Sequence, residues 1–360
     1  MLGNRRRFVG LRSQNTHRDV FHSRSSPYWL LASLFLTGCL PSSCSRNEPR
    51  SITPADSLSR EFAQTFPVDT LTVLEAINPG MDELQYPRTL AYDANGLLWV
   101  TDTARHILLA FESGFVEPVE RDTIPDSFPY LAGFRGKSVF AFSPATHSVY
   151  EITEGNIERE IFIGGPVPER GGLRYVTATE TGFVSKVVAP EFEGYLALHD
   201  VDGEIVEQVA LPGPDWRYAG LLRTRGEVVY SLSGFRPMVD RYANGSLDSL
   251  ALNGFDSPML ARSLQFMNGD THAPPLLSSS ADLAGDYIFV LNMRPGWAQL
   301  DVYDLEGQLQ HLVTQPAPSF NQEYYPTDIA VRQLSDGSYE IAISIVKPEP
   351  RIERYSWSPR

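Results

Sequence analysis

The chain of 360 residues has two cysteines, and 30 Lys and Arg stand against 44 Asp and Glu. Each scarcity removes a class of protein. Two cysteines build neither a disulfide framework nor a cysteine-rich zinc site. A shortage of cations disfavours nucleic acid as a partner, because polyanion binding draws on Lys and Arg. No apolar run approaches the roughly 20 residues of a membrane-spanning helix. Gly-x-Ser-x-Gly, His-Glu-x-x-His and Gly-x-x-x-x-Gly-Lys are all missing, so no hydrolase, metalloprotease or phosphate-loop chemistry is signalled. What is abundant is 27 Gly, 27 Pro, 11% aromatics and 42% hydrophobic residues. That composition suits many short strands joined by tight turns.

The charge is divided unevenly. Residues 1 to 38 carry six arginines and one aspartate, so a leader of net +5 precedes a body of −19, against −14 for the whole. After the arginines comes Tyr28 to Thr37, apolar apart from Ser33 and Thr37. This run has the length of the apolar region of a secretory signal. The tetrad Leu36-Thr37-Gly38-Cys39 that follows resembles the bacterial lipobox. The resemblance implies that residues 1–38 are a signal peptide and that Cys39 is lipidated, becomes the new N-terminus and attaches the protein to a membrane. A bacterial cell envelope follows as the expected location, and the uncharged Leu40 favours the outer membrane. Residues 39–67 are rich in Ser, Pro and charge, without apolar periodicity. Such a stretch buries too little to offset its ordering entropy and reads as a flexible tether.

Beyond the tether the chain repeats. Tyr86 to Phe111 runs as an apolar strand, the turn Asp93-Ala94-Asn95-Gly96, a strand ending Thr101-Asp102, a four-residue gap and a third strand. This unit resembles the NHL repeat of six-bladed β-propellers. Glycines of the first hairpin recur at Gly96, Gly136, Gly182, Gly226, Gly285 and Gly337, with spacings of 40, 46, 44, 59 and 52. A second series, Gly114, Gly155, Gly203, Gly245 and Gly307, marks the later hairpin in five units only. Tight hairpins favour glycine because it reaches positive φ at little cost. The sixth unit lacks one strand, and Val68 to Ile77 is strand-like with no partner before it. The expected fold is therefore all-β, a six-bladed β-propeller over residues 68–357 whose last blade is closed by the N-terminal strand.

In propellers of this kind ligands meet the face bearing the connections between blades. Here those connections bring Arg88, Tyr130, Arg174 with Tyr175, Arg217 with Tyr218, and Tyr325 with Asp328 to the start of the inner strands. Arg88, Tyr130, Arg174, Arg217, Tyr325 and Asp328 are the candidate ligand-binding residues. Together they suggest a cationic, aromatic mouth for a carboxylate, a sugar acid or a protein side chain. Alternatively, the arginines pair with neighbouring acids such as Glu169, Asp215 and Asp328. Arg236-Pro237, Arg294-Pro295 and Lys347-Pro348 follow the second strands of three successive blades. Ser257 to Gly269 reads as a short helix, Ser257 the N-cap and Pro258 its first residue, and forms either a lid or a packed decoration.

Metal chemistry has thin support. His106 and His147 hold equivalent places, but zinc needs three or four converging ligands. The calcium-dependent lactonase propellers hold their metal on Glu, Asn and Asp of the inner strands, and here only Asp328 fits, whereas calcium takes six to eight oxygens. The expectation is a non-catalytic, lipid-anchored propeller without cofactor or metal, binding a protein or small ligand. The alternative is a metal-dependent propeller enzyme of lactonase or lyase type.

Overall fold

The computed structural model describes residues 67–77, 84–114, 117–124, 127–167, 173–188, 194–211, 218–267, 270, 275–294, 296–318 and 321–359. The expected signal, Cys39 and all but the last residue of the expected tether lie outside them. Two short strands open the described chain, β1 (Val68–Thr70) and β2 (Thr72–Ile77). Six sheets follow, one for each expected blade.

Blade 1 is β3 (Pro87–Tyr92), β4 (Leu98–Asp102), β5 (Ile107–Phe111) and β6 (Glu120–Thr123). Blade 2 is β7 (Tyr130–Arg135), β8 (Ser138–Ser143), β9 (Ser148–Thr153) and β10 (Asn156–Phe162). Blade 3 is β11 (Leu173–Thr179), β12 (Gly182–Val188), β13 (Tyr195–His199) and β14 (Ile205–Ala210). Blade 4 is β15 (Leu222–Arg225), β16 (Val228–Leu232), β17 (Met238–Ala243) and β18 (Ser246–Ala251). The helix α1 (Leu260–Met267) leads into blade 5, β19 (Ser278–Ala284), β20 (Tyr287–Asn292), β21 (Gln299–Asp304) and β22 (Leu309–Thr314). Blade 6 contributes β23 (Tyr325–Gln333), β24 (Tyr339–Lys347) and β25 (Arg351–Trp357). Within each blade neighbouring strands are antiparallel, as hairpins require.

Burial follows position in the blade. β4 and β5 are buried at every residue, since neighbouring blades cover both faces of these strands. The outer strands β10 and β18 are mostly exposed and polar. The core is correspondingly divided into six apolar clusters, one at each seam between blades.

The ring closes as the strand count requires, with one difference. The N-terminal segment is broken at Leu71 and serves two blades. β1 adds to β22 of blade 5 in parallel, Val68 opposite Leu312, and the Leu71 amide donates to the Thr314 carbonyl at 2.8 Å. Leu71 is buried in the cluster between blades 5 and 6. β2 then completes blade 6, antiparallel to β25, with Thr72 opposite Ser356 and Ile77 opposite Ile352. Arg354 of β25, fully buried, is clamped by Glu75 of β2 and Glu340 of β24, and donates to the Ser113 hydroxyl of blade 1 at 2.8 Å. The closing strand is thereby tied to the blade it completes and to the next.

Both glycine series fall at hairpins. Positive φ values, 85° at Gly96 and 83° at Gly337 among them, explain the choice at ten of eleven sites. Gly182 is the exception. Its turn is Glu180-Thr181, and a Cβ on Gly182 would stand 1.9 Å from the His199 carbonyl oxygen, so close strand approach rather than φ demands glycine there.

Candidate functional site

The inner strands have a free edge toward the channel, and its backbone groups need partners. Side chains supply them from blade to blade. The Thr89 hydroxyl accepts from the Leu131 amide at 2.7 Å. Thr177 donates to the Ala132 carbonyl, Thr224 to Ala178 and Thr327 to Pro87. Asp328 does the most. One carboxylate oxygen accepts from Arg223 Nη2 at 2.6 Å, from the Ile329 amide at 2.9 Å and from the Ser280 hydroxyl; the other accepts from the Leu90 amide at 2.8 Å. Four of the six inner strands meet on this one group, which is wholly buried.

Asp328 and Arg223 therefore block the channel. On the hairpin side lies a chamber of about 260 Å³, with Arg223 and Asp282 in its wall. Arg223 Nε stands 3.8 Å from Asp282. Burial pushes the Asp282 carboxyl up to about 6, against the pull of Arg223. On the side of the inter-blade connections lies a pocket of about 140 Å³, lined by Arg88, Tyr175, Tyr325 and Phe235. A wider depression shares Tyr325 with it and adds Tyr86, Tyr324 and Lys347.

This second pocket is the predicted mouth, and its assembly starts at Asp102. One Asp102 oxygen accepts from the Gln85 and Tyr86 amides at 2.6 and 2.8 Å, the other from the Ala104 and Arg105 amides, both at 3.0 Å. The Thr-Asp strand end thus pins the segment that delivers Tyr86 and Arg88. The Arg88 guanidinium lies 5.8 Å from the Tyr86 ring centre and 5.6 Å from that of Tyr130, and its Nη1 donates to the Tyr86 hydroxyl at 3.4 Å. Among the described residues it has no carboxylate within ion-pair distance, a half-buried cation held by tyrosines alone. Burial pushes the phenol of Tyr175, in the same wall, up to about 12, so it stands as a neutral donor.

Three of the six candidates, Arg88, Tyr130 and Tyr325, come together here. Asp328 does not face the mouth, being consumed by the inner strands. Arg174 also leaves it. On β11 its neighbours across the ladder are Val187 and then Tyr195, which puts Arg174 and Tyr195 on one sheet face toward blade 2. Arg174 is buried there and donates to the Gly164 carbonyl. Arg217 lies outside the described residues. Of the proline-linked cations, Arg294 binds Asp256, its Nη2 donating to the backbone carbonyl at 3.0 Å and lying 3.5 Å from the carboxylate. The sequence reading missed Arg223 and Asp282. Both stand three residues before a hairpin glycine, Gly226 and Gly285, so opposite charges at one repeat position in consecutive blades were the available signal. Lys186 was missed too. It is fully buried, donates to Ser231 Oγ at 2.8 Å and lies 4.9 Å from the Tyr175 ring centre; burial drives its pKa down to about 7.

His106 and His147 both take the left-handed conformation at the start of the third strand, φ 57° and 58°, and their carbonyls accept from Ile124 and Ile163 in the same way. They are repeat positions. Among the described residues no three His, Cys, Asp or Glu side chains gather closely enough to hold a metal ion, and no helix is long and apolar enough to cross a membrane.

Fold and mouth together define a six-bladed β-propeller with a blocked channel and a tyrosine-lined cationic entrance. No protein-family model matches the chain, and no curated protein matches it. Solved structures resemble it at the level of architecture. Virginiamycin B lyase from Staphylococcus aureus is 13% identical over 81% of this chain and 89% of its own, with a TM-score of 0.46. Regucalcin from Agrobacterium tumefaciens, a calcium-binding protein, is 10% identical over 81% and 97%, at 0.48. BamB from Moraxella catarrhalis is 9% identical over 81% and 98%, at 0.43.

Proposed function

We propose that this protein is a lipoprotein of the bacterial cell envelope, anchored through Cys39 in the outer membrane, whose propeller binds a carboxylate-bearing small molecule or protein side chain at Arg88 without catalysing a reaction. The observation that carries the binding reading is the company Arg88 keeps. A cation enclosed by Tyr86, Tyr130 and Tyr325 and lacking a described counter-ion is poised to accept an anion. Charge-assisted hydrogen bonds from a guanidinium and neighbouring phenols suit a carboxylate. The enzyme alternative fits the residues poorly. Its metal would need Asp328, whose two oxygens already accept hydrogen bonds from four partners.

Titration of the full-length protein with glucuronate and with hexanoate, followed by tyrosine fluorescence or NMR, tests the site. Saturable binding is expected, at least tenfold weaker in Arg88→Ala. Equal binding by the variant refutes the site. The anchor is tested separately. Cys39→Ser is expected to abolish palmitate labelling and leave a heavier precursor; continued labelling refutes it.

A further inference from the structure

The faces of the propeller differ, and the hairpin face carries a cavity that the mouth does not explain. It lies between blades 3 and 4 and measures about 460 Å³, within the range of small-molecule sites. Its cause is in the second strands. At the seam of blades 1 and 2 Trp99 of β4 fills the space; between blades 2 and 3, Phe140 and Phe183 meet edge to face at 5.4 Å. Tyr230 serves between blades 4 and 5, and Phe289 with Tyr339 between blades 5 and 6. At blades 6 and 1 the Arg354–Glu340–Arg332 network does the same. Between blades 3 and 4 the second strands carry Lys186, Val188 and Ser231 farther in, but at the hairpin end they offer Val184 and Val229. The seam therefore gapes at its hairpin end over an apolar floor that includes Val184, Leu198 and Tyr242.

The walls have one sign. Glu180, Asp200, Glu207 and Glu227 all line the cavity, and no Lys or Arg does. Arg135, the nearest cation along blade 2, is spent on the carbonyls of Thr179 and Gly182. None of the four carboxylates has an ion pair among the described residues. Val206, also in the lining, is 64% exposed. Asp200 accepts from the Asp202 and Glu204 amides, both at 3.0 Å, and Glu207 from the Tyr242 hydroxyl, contacts that orient the carboxylates without neutralising them. An apolar floor under carboxylates that lack a cation is complementary to a molecule with an apolar body and a positive charge, and repels fatty acids and other anions.

We propose that the cleft between blades 3 and 4 is a second binding site, for a small lipophilic ammonium compound. The apolar body rests on Val184, Val229 and Tyr242 while the ammonium group meets Glu207 and Glu227. The site is independent of the mouth, which takes anions on the opposite face.

Calorimetric titration of the full-length protein with phenethylammonium chloride, 2-phenylethanol and 3-phenylpropionate separates charge from bulk. The ammonium compound is expected to bind at least tenfold more tightly than the alcohol, with the carboxylate silent, and to weaken severalfold as salt rises. Glu207→Gln with Glu227→Gln is expected to remove most of that preference without altering the melting temperature. Val229→Phe, which supplies the missing aromatic, is expected to abolish binding. Equal affinity for the three probes, or ammonium binding unchanged in the double Gln variant, overturns the proposal. So does loss of ammonium binding in Arg88→Ala, which would place the ligand on the tyrosines of the mouth.

Discussion

Removing the Asp328 carboxylate is the most informative perturbation of the ring. Asp328→Ala leaves Arg223 buried with only Asp282 at 3.8 Å for compensation and strips the Leu90 amide of its acceptor. Deleting one partner of a buried ion pair costs about 3–5 kcal/mol. An orphaned buried amide adds about 1–3 kcal/mol. Partial compensation by Asp282 puts the sum near 4 kcal/mol, which for a domain of this size lowers the melting temperature by roughly 8 °C at about 2 °C per kcal/mol. Urea denaturation at pH 7.5 gives the loss directly. Arg223→Met is expected to cost less, since it removes the charge that Asp328 neutralises while other donors to the carboxylate remain. In the double variant Asp328→Ala/Arg223→Met the two losses should be strongly non-additive, with a coupling of about 2 kcal/mol or more. A loss below about 1 kcal/mol for Asp328→Ala, or simple additivity, would refute the claim that this pair holds four inner strands together.

Other outcomes follow from single contacts. Gly182→Ala is expected to cost about 3 kcal/mol or more through backbone collision, whereas Gly337→Ala, with open space around it but φ at 83°, costs about 1 kcal/mol; equal losses in denaturation would contradict the assignment. Lys186 has a folded pKa depressed to about 7, so its contribution to stability is present above the unfolded pKa near 10.5 and is lost as pH falls through 7. Lys186→Met should therefore be more stable than the parent at pH 6, with the advantage shrinking toward pH 10; an advantage that grows with pH would reverse the sign. Deleting residues 1–77 removes both closing strands, the Leu71 side chain and the Glu75 partner of Arg354. The product is expected to aggregate or melt well below the parent by calorimetry, and an unchanged melting temperature would disprove the closure.

Architecture was legible because it rests on local chemistry repeated at a regular interval. Hairpin glycines, the Asp93 turn and the strand-end Asp102 each act on backbone within a few residues, so their spacing marks the blades and the one missing strand shows where the chain must return. The split of the N-terminal segment at Leu71 was not legible. Val68 to Ile77 reads as one strand-like run, and only the edges left open in blades 5 and 6 divide it.

The mouth was half legible. Arg88, Tyr130 and Tyr325 meet as their repeat positions suggested, but Arg174, at the same stage of its blade, turns to the seam because the side-chain period in a strand is two and a one-residue difference reverses the face. Asp328 shows the same limit from another side, since its partners lie 105 and 238 positions away. By itself the sequence determined the number of blades, the turn chemistry and the sign of the charge, all of which depend on neighbours along the chain. Which charges neutralise one another in the channel, which cations lack a carboxylate partner and which seam is left unfilled were decided by tertiary structure, because each depends on side chains that only ring closure brings within a few ångströms.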